Sequence, residues 1–422
     1  MKKVRLSLAV LMMLGLVLTI ITPFAKANDH QYPQLTVGKD KSERNFTWYH
    51  QSDAQGYIQI AESNDAKDFS QGKTIKGETH QGSNAGPNYT QVTMPDLKQN
   101  TTYMYRYYNG ENGEKSEVRH FETHDDGNTS FIAVADPQLG ASGDLGSDIQ
   151  GWQHTLSQMP KLNDSPNFLL SLGDQVNWPD DEDAYAGFIE QKDMEKYALA
   201  PTVGNHDALN RTYSEHFKVS NKLEHGQTPA GSNYFFVQNH TLFINLNVES
   251  TNYREHEATI QKALEATKDQ DIKWKVAVYH RGPFSAGKHS NTLATKDRRQ
   301  HLAPMMNKYG MDLVLNGHDH SYARSHVMNG TNPDVKWDEN GDAPSNYQDP
   351  EGPIYITMNS ASGSKFYDLV DNHDYLAKRD QSEKPSFTRV DIDDQALKVK
   401  SYFVPEGDQP LGEPMDEVTI QK

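Results

Sequence analysis

The alternation of hydrophobic and polar positions changes rhythm once along the chain. Between residues 33 and 123 it is short and two-fold. Apolar stretches at 34–37, 43–50, 56–62, 73–76, 89–94, 102–109 and 116–123 read as seven strands, as in Phe46 and Trp48 or Ile58 and Ile60. Gly, Asn, Asp and Lys clusters separate them. Seven such strands predict an all-β sandwich of fibronectin or immunoglobulin type. A polar linker at 124–129 follows. Then continuous apolar runs at 131–135, 167–172, 199–203, 242–248, 274–279 and 312–315 read as buried strands. Helical periodicity at 148–159, 182–197, 254–267 and 296–308 alternates with them, which predicts an α/β domain. Further strands at 234–237, 354–357, 387–392 and 397–402 have few helices between them and predict a second, partly antiparallel sheet. Residues 331–350, rich in Asn, Asp, Gly and Pro, read as a long surface loop. The expected organisation is a leader at 1–27, a sandwich at 33–123, an α/β domain at 129–405 and a tail at 406–422.

The leader is read as an export signal. Lys2, Lys3 and Arg5 precede an apolar run over 6–21, Pro23 breaks it, and Ala25-Lys26-Ala27 has the small-x-small pattern of a cleavage site. An uncleaved anchor is the alternative, but a span needs about 20 apolar residues. Cleavage after Ala27 leaves no stable membrane span, because no later stretch is apolar enough. Composition then narrows the picture. The 422 residues carry a net charge of −17, and −21 once the basic leader is set aside. An acidic surface of that size excludes a nucleic-acid scaffold or an anionic-membrane binder. The chain has no cysteine, which excludes disulfides, thiol catalysis and Cys-based zinc sites. A secreted or cell-wall-associated bacterial protein fits these features.

Five polar segments each follow an apolar strand directly. They are Asp136-Pro137-Gln138, Gly173-Asp174, Gly204-Asn205-His206-Asp207, His280, and Gly317-His318-Asp319-His320. Taken singly, each reads as a turn or a helix cap. Taken together they are five strand ends in order, and α/β sheets bind ligands beyond the carboxyl ends of their strands. Asp136, Asp174, Asn205, His206, His280, His318 and His320 are therefore expected in one cleft. Their oxygen and nitrogen donors suit Mn, Fe and Zn alike, and the set exceeds the needs of one ion. A carboxylate such as Asp174 can bridge two ions placed to clamp a phosphoryl group.

These segments resemble the calcineurin-like metallophosphoesterase superfamily over about residues 129–405. The sandwich in front, with its Tyr103-Met104-Tyr105 strand, makes the chain similar to the purple acid phosphatase branch, which places a fibronectin type III-like domain before the phosphatase domain. The resemblance implies that Asp136, Asp174 and His320 hold one metal. It implies that Asp174, Asn205, His280 and His318 hold a second, with Asp174 bridging. His206 would touch phosphate without ligating, Asp207 would orient its imidazole, and His289 would lie on the substrate side. Two residues depart from the pattern. Gln138 stands where the superfamily has a ligating His, so a neutral amide would serve that metal. Asn177 stands where the purple branch has a tyrosinate, which puts colour and a stable ferric site in doubt. The implied activity is hydrolysis of a phosphorylated small molecule by a metal-bridging hydroxide, on monoesters or, alternatively, diesters. A secreted binding module with a decayed site is the rival from outside the enzymes.

Overall fold

A computed structural model describes residues 33–83, 87–124, 127–162, 165–370 and 372–422. The expected leader at 1–27 lies outside the described residues. Among them, no helix is long and apolar enough to cross a membrane.

The first quarter of the described chain is a β-sandwich. One face is built by the strands Gln34–Val37, Arg44–His50, Asn88–Met94 and Glu78–His80; the other by Lys73–Lys76, Gly56–Glu62, Thr102–Asn109 and Arg119–Glu122. Alternating aromatic positions meet between them. Phe46 lies 5.0 Å from Tyr105, and Trp48 stacks on Tyr107 at 5.2 Å. Such offset and tilted ring pairs contribute beyond their buried area.

The rest is an α/β arrangement of two sheets packed face to face between helices. In the first sheet, Thr129–Val134, Phe168–Ser171 and Leu199–Pro201 run parallel and are buried throughout. That burial is why these stretches are continuously apolar rather than alternating. The second sheet runs Tyr234–Gln238, Thr241–Asn245, Trp274–Arg281, Leu313–Gly317, Ile354–Thr357, Tyr322–Ser325 and Leu376–Asp380. Phe131 meets Phe243 at 5.3 Å, and Phe168 meets Phe236 at 5.4 Å, across the gap. The helices Leu145–Gln158 and Glu182–Ile189 cover the outside of the first sheet, and Tyr253–Ala266 and Leu293–Lys308 the outside of the second. Asp144, Asp181 and Thr292 cap three of these helices with their side chains.

The helix expected over 182–197 ends at Ile189. The Gln191 amide donates to the Gly187 carbonyl at 2.5 Å, and turns carry Met194 and Tyr197 into the core. The stretch 406–422, read as a tail, supplies the strand Asp416–Gln421, which pairs with Ala396–Phe403. Its Val418 and Ile420 alternate with outward residues, and Asn346–Gln348 pairs on its other side. The segment read as a loop at 331–350 carries the short strands Asn332–Asp334 and Asn346–Gln348.

The sandwich and the α/β half share a sheet. Gln34–Val37 pairs in parallel with Leu199–Pro201 through Thr36 and Leu199, so one eleven-stranded sheet runs through both.

Candidate metal centre

Every ligand candidate except His280, which lies within the strand Trp274–Arg281, sits on a turn that leaves a strand. Five of these residues have backbones in the left-handed region: Asp136 at φ 46°, Gln138 at 39°, Asp174 at 51°, His318 at 74° and His320 at 30°. Non-glycine residues pay a steric cost there, and such strain gathers at functional sites. Two glycines make room. A Cβ at Gly204 would come within 2.1 Å of Asp174 Oδ1, and one at Gly317 within 2.5 Å of Asp136 Oδ2. His280 is aimed differently. Its strand pairs with Leu313–Gly317, and the register shifts between Val278 and Arg281, turning the imidazole inward.

The side chains converge. Ligand atoms of Asp174, His280 and His318 all lie within 4.8 Å of one another. His280 Nε2 is 3.1 Å from Asp174 Oδ2 and 3.2 Å from Asn205 Oδ1. Beside them, His320 Nε2 is 3.2 Å from Asp136 Oδ1. The other nitrogens of two rings are fixed by backbone: His280 Nδ1 by the Leu172 carbonyl and His320 Nδ1 by the Lys365 carbonyl, each at 2.8 Å. That leaves Nε2 of both facing the carboxylates, as metal-ligating imidazoles require.

Burial is the largest single influence on Asp174 and His280 and opposes charge on both, but their mutual attraction, with the neighbouring charges and hydrogen bonds added, outweighs it. Asp174 is held well below the usual carboxylate range, and His280 is pushed up to about 10. His318 is driven down, first by burial and then by the Arg281 guanidinium, whose Nη1 donates to His318 Nε2 at 2.9 Å. Asp136 Oδ1 and Gln138 Oε1 are buried and accept no hydrogen bond. Buried oxygens without donors are costly, and a cation among these imidazoles would satisfy them. The residues therefore fit a metal site.

The remaining candidates take separate places. The His206 backbone N–H donates to Asp174 Oδ1 at 2.8 Å, and its Nδ1 bonds the Asn177 carbonyl at 2.7 Å. Asp207 does not orient that ring, contrary to the sequence expectation. Its carboxylate accepts the backbone N–H groups of Asp174 and Gly204 at 2.8 Å and of Gln175 at 3.3 Å, so it braces the turns instead. Burial, and then the Asp174 charge, push its pKa up. His289 does join the cluster, with its ring 4.5 Å from that of His318. Burial and the neighbouring cations lower it to about 4.

The two departures from the family pattern touch each other. Gln138 Nε2 donates to Asn177 Oδ1 at 3.0 Å. Sequence reasoning missed three further parts. Arg281 is clamped by Glu249 at 2.8 Å. Tyr367 packs its ring 4.6 Å from that of His320. Asp319 anchors the loop under His289, accepting from Ser285 Oγ at 2.5 Å and from the Gly287 and His289 N–H groups at 2.9 Å. Arg281 and Asp319 adjoin recognised ligands and could have been singled out. Tyr367 carries no local signal.

Comparison with known proteins agrees with this arrangement. Residues 131–322 match the family described as calcineurin-like phosphoesterase, and residues 31–123 match the purple acid phosphatase N-terminal domain. Purple acid phosphatase 15 of Arabidopsis thaliana is 22% identical over 311 residues, covering 63% of this chain and 52% of that protein. Purple acid phosphatase 3 of the same plant is 38% identical over 55 residues, 13% of this chain and 14% of its own length. The chain thus spans about half the length of the first of these relatives and far less of the second. A purple acid phosphatase from yellow lupin (Lupinus luteus) seeds shares the fold with a TM-score of 0.70 at 16% identity, over 92% of this chain and 74% of that one. By these matches the chain resembles the calcineurin-like phosphoesterases, in the domain order of the purple acid phosphatases.

Proposed function

We propose that this chain is an exported, metal-dependent phosphoric ester hydrolase that uses two ions and acts on phosphate monoesters. One observation carries the reading: His280 Nε2 stands 3.1 Å from Asp174 Oδ2, 3.2 Å from Asn205 Oδ1 and 3.9 Å from Asp136 Oδ1, so the Asp174–Asn205–His280–His318 group meets the Asp136–His320 pair. On this reading Asp136, Asp174 and His320, with Gln138 beside them, hold one ion. Asp174, Asn205, His280 and His318 hold the other. Ions bound there would supply positive charge for the phosphate oxygens and lower the pKa of a water.

The chain's own residues do the rest. His206 Nδ1 is engaged by the Asn177 carbonyl, so Nε2 is the nitrogen able to meet substrate. Protonated there, it gives its proton to the leaving oxygen as the P–O bond to that oxygen breaks, while a water that has lost one proton to solvent forms the new O–P bond; His206 then regains a proton from solvent. General acid help of this kind is worth about 10²–10⁴-fold. Asp207 is a positioning residue: three backbone N–H groups on one carboxylate keep the Asp174 and Gly204 turns in register. The basic start and small-x-small site of the leader support export. Asn177 offers no phenolate, so the purified protein should lack a purple band; a strong visible band would assign that role to Tyr367, the ring packed on His320.

The test is metal analysis combined with a substrate panel. About two ions per chain, and chelator-sensitive hydrolysis of phenyl phosphate faster than of bis(phenyl) phosphate, are expected. Undiminished hydrolysis after full metal removal rejects the reading.

A further inference from the structure

Two lysines converge on one aromatic ring at the edge of the metal centre. Lys288 Nζ stands 3.8 Å from the Tyr367 ring centroid, and Lys365 Nζ 5.3 Å from it. That ring packs 4.6 Å from His320 and 5.2 Å from His289. Lys288 comes from the loop after the His280 strand, and Lys365 from the segment whose backbone carbonyl fixes His320 Nδ1. Both lysines are thus tied by short chain segments to the ligands themselves.

Their charges are unspent. The nearby Arg281 is engaged by Glu249 through two contacts, at 2.8 and 2.9 Å. Asp319, a buried carboxylate near the Tyr367 ring, is occupied by Ser285 and two backbone N–H groups. Neither Lys288 nor Lys365 has an ion pair among the described residues. Lys288 is exposed and Lys365 half-buried. On a chain of net charge −17, paired cations without acids at the mouth of a phosphate site stand out against the general field. Cations over a ring face gain only a modest attraction when solvated, so an anion can still claim them.

We infer that Lys288 and Lys365 form an anion subsite beside the metal centre, which takes a second phosphate of a multiply phosphorylated substrate. The inference rests on the phosphoesterase reading and narrows its substrate class. One phosphate sits on the metals and is released. The second stays on the substrate and is held by the two ammonium groups as compact, strongly hydrated point charges. Tyr367 is the floor that keeps the lysines together.

The test compares adenosine 5′-monophosphate with adenosine 3′,5′-bisphosphate on the metal-loaded full chain. The wild type should favour the bisphosphate in kcat/KM, and the preference should shrink as salt is raised. In a Lys288→Gln, Lys365→Gln double variant the bisphosphate-to-monophosphate ratio should fall about tenfold, with most of the change in KM; the Lys→Arg pair should restore it. Two charged contacts of this kind account for that magnitude. A ratio that stays constant while both substrates are hydrolysed overturns the subsite and leaves the phosphoesterase reading standing. No hydrolysis of either substrate by the wild type overturns both.

Discussion

Two buried polar regions of this protein are built in opposite ways. The seam between the sandwich and the α/β half is self-sufficient. Glu215, 2% exposed, accepts the Ser83 backbone N–H on both oxygens at 3.0 Å and the Ser83 hydroxyl at 3.1 Å. Asn45 donates to the Val37 carbonyl and to Ser220, and accepts from Thr93. Gln91 donates to the Ser214 carbonyl at 3.0 Å. The metal centre is as deeply placed, yet it keeps strained backbones and oxygens without donors at Asp136 and Gln138. At Glu215, Asn45 and Gln91 polarity is closed by partners within the fold and serves stability. At the strand ends it is left open, and folding energy is given up for a shape that suits a cation.

The comparison predicts that the same kind of substitution has different readouts in the two regions. The largest effect is expected from Asp174→Asn. Removing the charge shared by both ligand groups should lower the rate about 10³-fold or more, since metal charge stabilisation is worth several kcal/mol. Metal content should fall with it, by elemental analysis; full occupancy would show that Asp174 does not join the ions. His206→Ala should keep its metal while kcat falls, by about 10²-fold or more for a poor alkoxide and little for an activated phenolate. Loss of metal would make His206 a ligand, and equal losses on both leaving groups would deny it the acid role.

Glu215→Ala should do the reverse. Leaving the Ser83 donors unmatched costs about 1–3 kcal/mol of stability, while metal content stays constant. A melting curve and a metal count on one preparation check both halves. A further effect is a pH slope in chelator-treated protein. The raised pKa of His280, about 10 against an unfolded value of about 6.5, gives stability that is complete below about 6.5 and is lost as pH rises through about 10. Thermal stability should fall over that window more in the wild type than in His280→Asn. Equal slopes would remove the His280–Asp174 pair from consideration.

Legibility in the sequence follows the same division. Strands such as Gly56–Glu62, Thr102–Asn109 and Ile354–Thr357 have their limits written in local apolar runs. The ligand candidates were legible because each lies at or just beyond a strand end. What acts across the chain was not. Asp207 lies next to His206 in sequence, but its carboxylate turns to the Asp174 and Gly204 backbones, 33 and 3 residues away. Tyr367 reaches His320 from a segment without regular structure. The helix stop at Ile189 depends on one side-chain bond from Gln191, which periodicity does not register.

The parallel pairing of Thr36 with Leu199 has a consequence for how the molecule avoids its own kind. Within the α/β half, Leu199–Pro201 has a neighbour on one side only, Phe168–Ser171. The sandwich strand Gln34–Val37 occupies the other side, and the sheet then continues to Glu78–His80. An open strand edge offers a row of unpaired N–H and C=O groups to any passing chain. The sandwich thus acts as an edge guard for the sheet that carries Asp136 and Asp174. In a chain begun at residue 129, a new, concentration-dependent tendency to self-associate is expected ahead of any loss of metal, and sedimentation at two loading concentrations would reveal it.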